Sequence, residues 1–414
     1  MIETLNIHAS AEYADERDGD MGSWLLSGTM MRLALQQGYH RDPSQHPNLS
    51  VFQGEMRRRI WSAVSQHDLL FSVQIGLPKG IRYAECDTQP PQNFHEEELY
   101  EDMKELPPSR PLNEDTEVSY QVVKYAIMRA YGQVVEFLSL LEPQPYEEVL
   151  KLDMRLMKTR ANIPPHLQLG TLEEMANDPS SRVMERYILQ LFFNKAICLL
   201  HRKYWDSLPA QTPEGAWHYS RRTCVASSLA LLDHQASMHR AAQPGGILRT
   251  MRWYKFSITN HDFLLAAMIL CLDLMRRQPE CLIPEAEKLR AIQRSRAIWV
   301  EVVDDCRDAK RAVSILTSVL KKLTSKKEHT RSVPAPETEE VLSASATNPN
   351  VDTLRYSPYF TDQFGLGMPL IAGRPTDVDT SMEDDFLDTL GSDLNMPGDF
   401  NWVRCHTSNC GRFN

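Results

Sequence analysis

No two of the eight cysteines of this 414-residue chain stand in C-x-x-C spacing. That pairing is what lets two thiolates reach one zinc ion from a single turn, so a structural zinc module built on it is excluded. The scattered thiols also lack the density of a disulfide framework, which implies a reducing compartment and mostly buried cysteines. Apolar runs are short, and none approaches the roughly 18 residues that a membrane helix needs. Residues 1–20 are polar and acidic, without signal-peptide character. A G-x-S-x-G nucleophile elbow is missing. The one G-x-G, at Gly365 and Gly367, sits outside any phosphate-loop context. Alternating strand patterns and fixed-period repeats are absent too.

What the chain does have is helical periodicity. Trp24, Gly28, Met31 and Leu35 share one face of a helix expected over 23–37, and Gly38 is placed to end it. The loop 40–48 carries two prolines. Ser50 reads as an N-cap, with Gln53 as its capping-box partner, opening a helix over 51–75. Phe52, Met56, Ile60, Val64, His67 and Phe71 line one side of that helix, and Arg57, Arg58 and Arg59 straddle the other. Gly76-Leu77-Pro78 stops it. Residues 84–115 form a proline-punctuated connection. Helices are then expected over 116–141, 146–161, 181–205, 215–240, 247–276 and 284–323. The fold class is therefore all-α: an irregular domain of about ten helices over 22–323, after a poorly ordered segment 1–21. Residues 324–414 are too poor in apolar residues to offset the entropy of ordering and are expected to be a disordered linker and tail.

Net charge is −10, which argues against nucleic-acid binding by the chain as a whole. Eight acids and no base fall between Thr376 and Trp402, so much of the deficit belongs to the tail. There Asp384 and Asp385 interleave with Phe386, Leu387, Leu390, Phe400 and Trp402. Acidic–hydrophobic alternation is the composition of transcriptional activation regions, whose aromatics stay available to a partner groove. A merely solvated tail fits the same composition. The stretch Lys310–Arg331 fits a nuclear-import signal or the cationic end of a helix.

Several arrangements that carry chemistry elsewhere have plainer readings here. His67 falls on an apolar helix face and reads as a satisfied core histidine. His40 follows a helix C-terminus, where capping suits an imidazole. Cys405, His406 and Cys410 are close together but lack a fourth zinc ligand. D-D-x-x-D occurs at Asp304–Asp308 and Asp384–Asp388. In an all-α fold it resembles the magnesium–diphosphate sites of prenyl-transferring enzymes. The alternative function is thus a metal-dependent prenyl diphosphate enzyme, against the plainer reading of a solvated acidic face and an acidic tail.

The ordered motifs from Arg32 to Asn93 resemble one family. They run Arg32 and Ala34, then G-Y-H-R-D (Gly38, Tyr39, His40, Arg41, Asp42), then E-x-R-R-R-x-W (Glu55, Arg57, Arg58, Arg59, Trp61). Asp68 follows seven residues on, then Gly76 and Pro78, then D-T-x-x-P-x-N (Asp87, Thr88, Pro91, Asn93). Leu106–Pro111, Leu199–Tyr204, Arg222–Ala226 and His261–Ala267 continue the pattern. Together they resemble the fungal-specific transcription factor domain, the middle homology region of zinc binuclear-cluster regulators, over about 22–320. Ser62 stands where the family has a second tryptophan, and Leu77 where it commonly has arginine.

The resemblance implies a nuclear transcription regulator, not an enzyme, with this chain corresponding to the C-terminal two-thirds. Zinc and DNA would be bound by full-length relatives through a cluster that this stretch lacks, and the chain itself carries no cofactor and no membrane segment. The implied partners are transcriptional machinery or co-regulators met by the tail, a second copy of the chain, and a small-molecule effector. Arg57, Arg58 and Arg59 are expected to pair with Glu55, Asp42 and Asp68 as an internal ion-pair lattice rather than a ligand site.

Overall fold

Two glycines in the left-handed region fix where the first long helices stop. In a computed structural model of the chain, Gly38 has φ 74° and Gly76 φ 73°. The Tyr39 N–H returns to the Ala34 carbonyl and Gly38 to Leu35, both at 3.0 Å; Leu77 and Gly76 repeat the pattern on Ser72 and Val73. Both ends are Schellman motifs, which glycine accepts without a Cβ clash. At the other end of the second helix, Ser50 and Gln53 close a reciprocal capping box.

The structure describes residues 1–15, 21–142, 144–204, 216–251, 258–276, 283–303 and 307–331. Ten α-helices and no strand are found among them: α1 (Ile2–Asp15), α2 (Met21–Gln36), α3 (Val51–Gln74), α4 (Ser119–Leu138), α5 (Tyr146–Ala161), α6 (Ser180–Arg202), α7 (Ala216–Ala241), α8 (Ile258–Arg276), α9 (Glu285–Glu301) and α10 (Arg307–Arg331). Met1–Leu320 form one compact unit; of the unit Lys321–Asn414, only the end of α10 is described. No described helix is long and apolar enough to cross a membrane.

Helix α6 is the axle of the larger unit. It touches α4, α5, α7 and α8, and every residue from Leu189 to His201 is buried. A helix enclosed on all sides must neutralise its polar groups internally. Lys195 forms an ion pair with Asp262 of α8. His201 Nε2 lies 3.3 Å from Asp153 of α5, and Asp153 also accepts from Tyr219 of α7 at 2.5 Å. Asp273 of α8 joins Arg221 of α7 at 2.7 Å to Lys288 of α9 at 2.5 Å. Removing one partner of such a pair strands a buried charge, so these contacts hold the helices to one register.

Three segments differ from expectation. The segment 1–21 is helical over Ile2–Asp15, because Ile2 and Ala9 are buried and Leu5 packs beside them against α2 and α3. That stripe of small and sparse apolar residues gives little periodicity in sequence. Of the helix expected over 247–276, residues 247–250 lie instead in turns that follow Gly245 at φ 85°, and α8 is described from Ile258. Within the helix expected over 284–323, α9 ends at Glu301, where Val302 leaves helical geometry at φ −118° and ψ 16°, and α10 is described from Arg307.

Candidate functional site

Helix α3 enters the core gradually. Its first turns are half open, while from Ile60 onward most positions around its circumference are buried, including Ser62, Ser65, Asp68 and Ser72. Arg57, Arg58 and Arg59 stand at that transition, where guanidinium groups reach back over the loops on either side.

Each arginine holds a different segment. Arg57 Nη1 donates to the Gln37 carbonyl at 3.0 Å, at the C-terminus of α2, and its guanidinium lies 4.6 Å from the Tyr39 ring centre. A cation at a helix C-terminus is favoured by the dipole. Arg58 grips Asp42 with two hydrogen bonds, Nε to Oδ2 at 3.0 Å and Nη2 to Oδ1 at 2.8 Å. Arg59 Nε donates to Glu55 at 3.1 Å, while Nη1 meets both Glu96 oxygens at 2.9 and 2.8 Å. It also lies 5.5 Å from the buried Phe94 ring.

Asp42 is the hub. Besides Arg58 it accepts the Ser44 N–H at 3.0 Å, capping a single 3-10 turn at Pro43–Gln45, and the Gln89 N–H at 2.9 Å. Its own N–H donates to Asp87 at 2.7 Å, and Asp87 pairs with Arg41 at 2.9 Å. Burial works to raise the Asp42 carboxyl, but the bonds from Arg58, Ser44 and Gln89 hold it well below the ordinary aspartate value. Glu55 goes the other way. Burial raises it against the opposing pull of Arg59, Gln92 and Arg58, and its Oε2 has no hydrogen bond among the described residues.

Asp68 was expected to answer an arginine. Instead it receives the Gly80 and Ile81 N–H groups at 3.0 and 2.8 Å, pinning the chain just beyond Pro78. Sequence spacing located the acid but not its backbone donors, which arrive only after the chain reverses at Gly76. Beyond it Lys79 pairs with Glu136 of α4 at 2.7 Å, and the Tyr83 ring lies against Gly132. Asn93 is buried; its side chain donates to the Arg110 and Pro111 carbonyls and accepts from Thr116 at 2.6 Å. Glu96, Glu136 and Gln92 had no signal in the sequence, because each is chosen by the folded path of the connection.

The remaining motif residues are structural neighbours. Trp61 is buried with Tyr39, Ala34 and Met30. His40 lies with its ring centre 6.3 Å from Trp61. Arg32 is exposed on α2, and Pro78 is exposed after the turn. His67 stacks on Phe71 at 5.5 Å, and burial pushes its imidazole down to about 4, with Lys124 adding to the shift. The described cysteines do not fit a zinc cluster: Cys86 lies in the connection, and Cys198, Cys224 and Cys271 are buried on α6, α7 and α8. No three metal-ligating side chains gather among the described residues. Asp384, Asp385, Phe386, Leu387, Leu390, Phe400 and Trp402 lie outside the described residues, as do Asp304, Asp305 and the cluster at 405–410.

What the arrangement does chemically is hold chain to chain. Every acid named around the arginines is engaged by protein groups, and the loop segments 37–45 and 79–96 are tied to α3 and α4.

A family model described as the fungal specific transcription factor domain matches residues 12–161, from α1 to the end of α5. The chain is 33% identical to the Zn(2)-C6 fungal-type transcription factor mpsB of Macrophomina phaseolina, over 97% of the chain and 56% of that protein. It is 34% identical to the Zn(2)-C6 fungal-type transcription factor pigI of Monascus ruber, over 76% of the chain and 40% of that protein. With the equisetin cluster transcription factor eqxF of Fusarium heterosporum it shares 35% identity, over 77% of the chain and 46% of that protein. The chain thus spans about half the length of these relatives. No solved structure matches.

Proposed function

Because the chain belongs to the fungal specific transcription factor domain family, we propose that it is the regulatory part of a transcription regulator that works in the nucleus. Residues 22–323 form the regulatory domain, and residues 324–414 a linker and an acidic, aromatic-bearing tail that recruits the transcription machinery or co-regulators. A zinc-cluster module outside this sequence makes the DNA contact, and the regulator works as a pair of chains. One relative is named for the equisetin cluster, and the present chain controls a cluster of that kind.

The observation that carries this reading is the family match over 12–161, together with three relatives all named as transcription factors. The Arg57–Arg59 lattice supports a scaffolding role for the motif region, since its acids are turned inward onto arginines and backbone. Control by a small-molecule effector within the helical core belongs to the same reading. Tyr131 Oη and Asn194 Oδ1 are buried there without a hydrogen bond among the described residues, which gives such a ligand polar groups to meet.

Disrupting the gene for this chain and measuring transcripts tests the proposal. A limited, co-located set of genes falls in expression, and restoring the gene restores them. An unchanged transcript profile under conditions where the chain is made contradicts it.

A further inference from the structure

Helix α4 carries one inward lysine to which the fold gives no carboxylate. Lys79, Lys195 and Lys288 show the usual arrangement: each side chain is buried and paired, with Glu136, Asp262 and Asp273 respectively. Lys124 is half-buried and has no hydrogen bond or ion pair among the described residues. Its ammonium meets aromatic rings instead. Nζ lies 5.7 Å from the Tyr120 ring centre and 5.9 Å from that of Phe192 on α6, a residue only 7% exposed. Cation–π contact at that range is weak beside an ion pair.

The surroundings withhold water from the charge. Burial pushes the Lys124 ammonium down to about 8, against a partial pull from Glu185 of α6, and it pushes the Tyr120 phenol up. Lys124 in turn lowers His67 of α3, whose Nδ1 is buried without a hydrogen bond among the described residues. Glu185 does not neutralise Lys124. It lies outside ion-pair distance of the ammonium and pairs with Arg182 at 3.3 Å.

A desolvated cation left unpaired by its own chain is a cost, and an arriving anion offsets it. The ring faces of Tyr120 and Phe192 carry partial negative charge, so they suit the apolar body of a ligand and not its anionic end. A lone ammonium lacks the forked donors that grip a phosphoryl group in two places. The Glu185 charge nearby disfavours a second negative charge on the ligand. Tyr131, whose buried hydroxyl lacks a hydrogen bond among the described residues, stands seven residues beyond Lys124. It is therefore on the same face of α4, about 10 Å further along the helix.

We propose that Lys124 anchors a site for a small organic carboxylate, with Tyr120 and Phe192 flanking its apolar body. The proposal rests on control by an effector within the helical core and names the chemistry of that effector.

Calorimetric titration of the full chain with benzoate, 2-naphthoate and octanoate, and with the three matching amides, tests it. At least one carboxylate binds at one site per chain, and its amide binds at least about tenfold more weakly. Lys124→Met, which keeps the length of the side chain and removes the charge, abolishes that preference. It also leaves the melting temperature of the unliganded chain equal or higher, because an unpaired charge is taken out of the interior. A lower melting temperature for Lys124→Met overturns the unpaired cation. Carboxylate binding indifferent to Lys124→Met, or amides bound as tightly as carboxylates, overturns this site and leaves effector control standing. A chain that binds no member of either set overturns both.

Discussion

Asp42 and Arg58 are 6% and 12% exposed in their side chains, so their pairing is shielded from the solvent screening that makes surface ion pairs weak. Asp42→Asn leaves Arg58 facing amide hydrogens in place of a carboxylate oxygen. The expected loss is about 3 kcal/mol of unfolding free energy, read by urea denaturation. Arg41→Ala removes a pair whose members are 49% and 37% exposed, and changes stability by under about 1 kcal/mol. Equal effects would contradict the geometry.

His67 and Asp42 set a pH dependence. The His67 value of about 4 lies below its ordinary 6.5, so the folded state binds a proton less readily than the unfolded one. Stability is full above about 6.5 and falls as the pH drops toward 4. Asp42, also lowered, adds a loss that begins only near the ordinary aspartate value. His67→Gln should therefore flatten the stability profile between pH 6.5 and 5, measured by thermal melts, and leave the lower limb in place. The spacing of Asp42, Glu55 and three arginines made an ion-pair lattice legible in sequence. It did not give Asp68 its true partners, because backbone N–H groups carry no residue-type signal.

At the scale of elements, local chemistry was the readable part. The Ser50–Gln53 box and the stops at Gly38 and Gly76 each depend on residues within one turn. The all-round burial of α6 and of the later turns of α3 was not readable, since Ser62, Ser65 and Lys195 look like solvent-facing positions until their partners are known. The long connection between α3 and α4 was expected as loop, and its order comes from contacts distant in sequence, such as Asn93 with Thr116 and Tyr83 with Gly132. Two glycines separate local from tertiary effects. A Cβ on Gly132 would come 2.5 Å from the Tyr83 ring, whereas one on Gly28 meets nothing nearer than the end of Arg32 at 3.7 Å. Gly132→Ala should cost about 2 kcal/mol through displaced packing, and make the 77–115 connection more open to protease. Gly28→Ala should stabilise α2 by up to about 1 kcal/mol. Similar melting temperatures for the two variants would refute this assignment of roles.

For the whole molecule, the proposed division of labour is between a helical unit whose motif acids are engaged within the fold and a tail of acidic, aromatic-bearing composition. The motifs from Arg32 to Asn93 identified the family because they are dense and ordered along the chain. They say little about action, since their charges are spent on one another. The proposed activity therefore falls on the tail, around Asp384, Asp385, Phe386, Leu387, Leu390, Phe400 and Trp402, and on the module that brings the regulator to DNA. The most direct measurement joins the full chain to a heterologous DNA-binding domain and reads a reporter carrying that domain's site. Activation well above the DNA-binding domain alone is expected, reduced by the combined change of Phe386, Leu387 and Leu390 to alanine at unchanged protein level. A tethered chain that is well expressed and leaves the reporter at the level of the DNA-binding domain alone would contradict it.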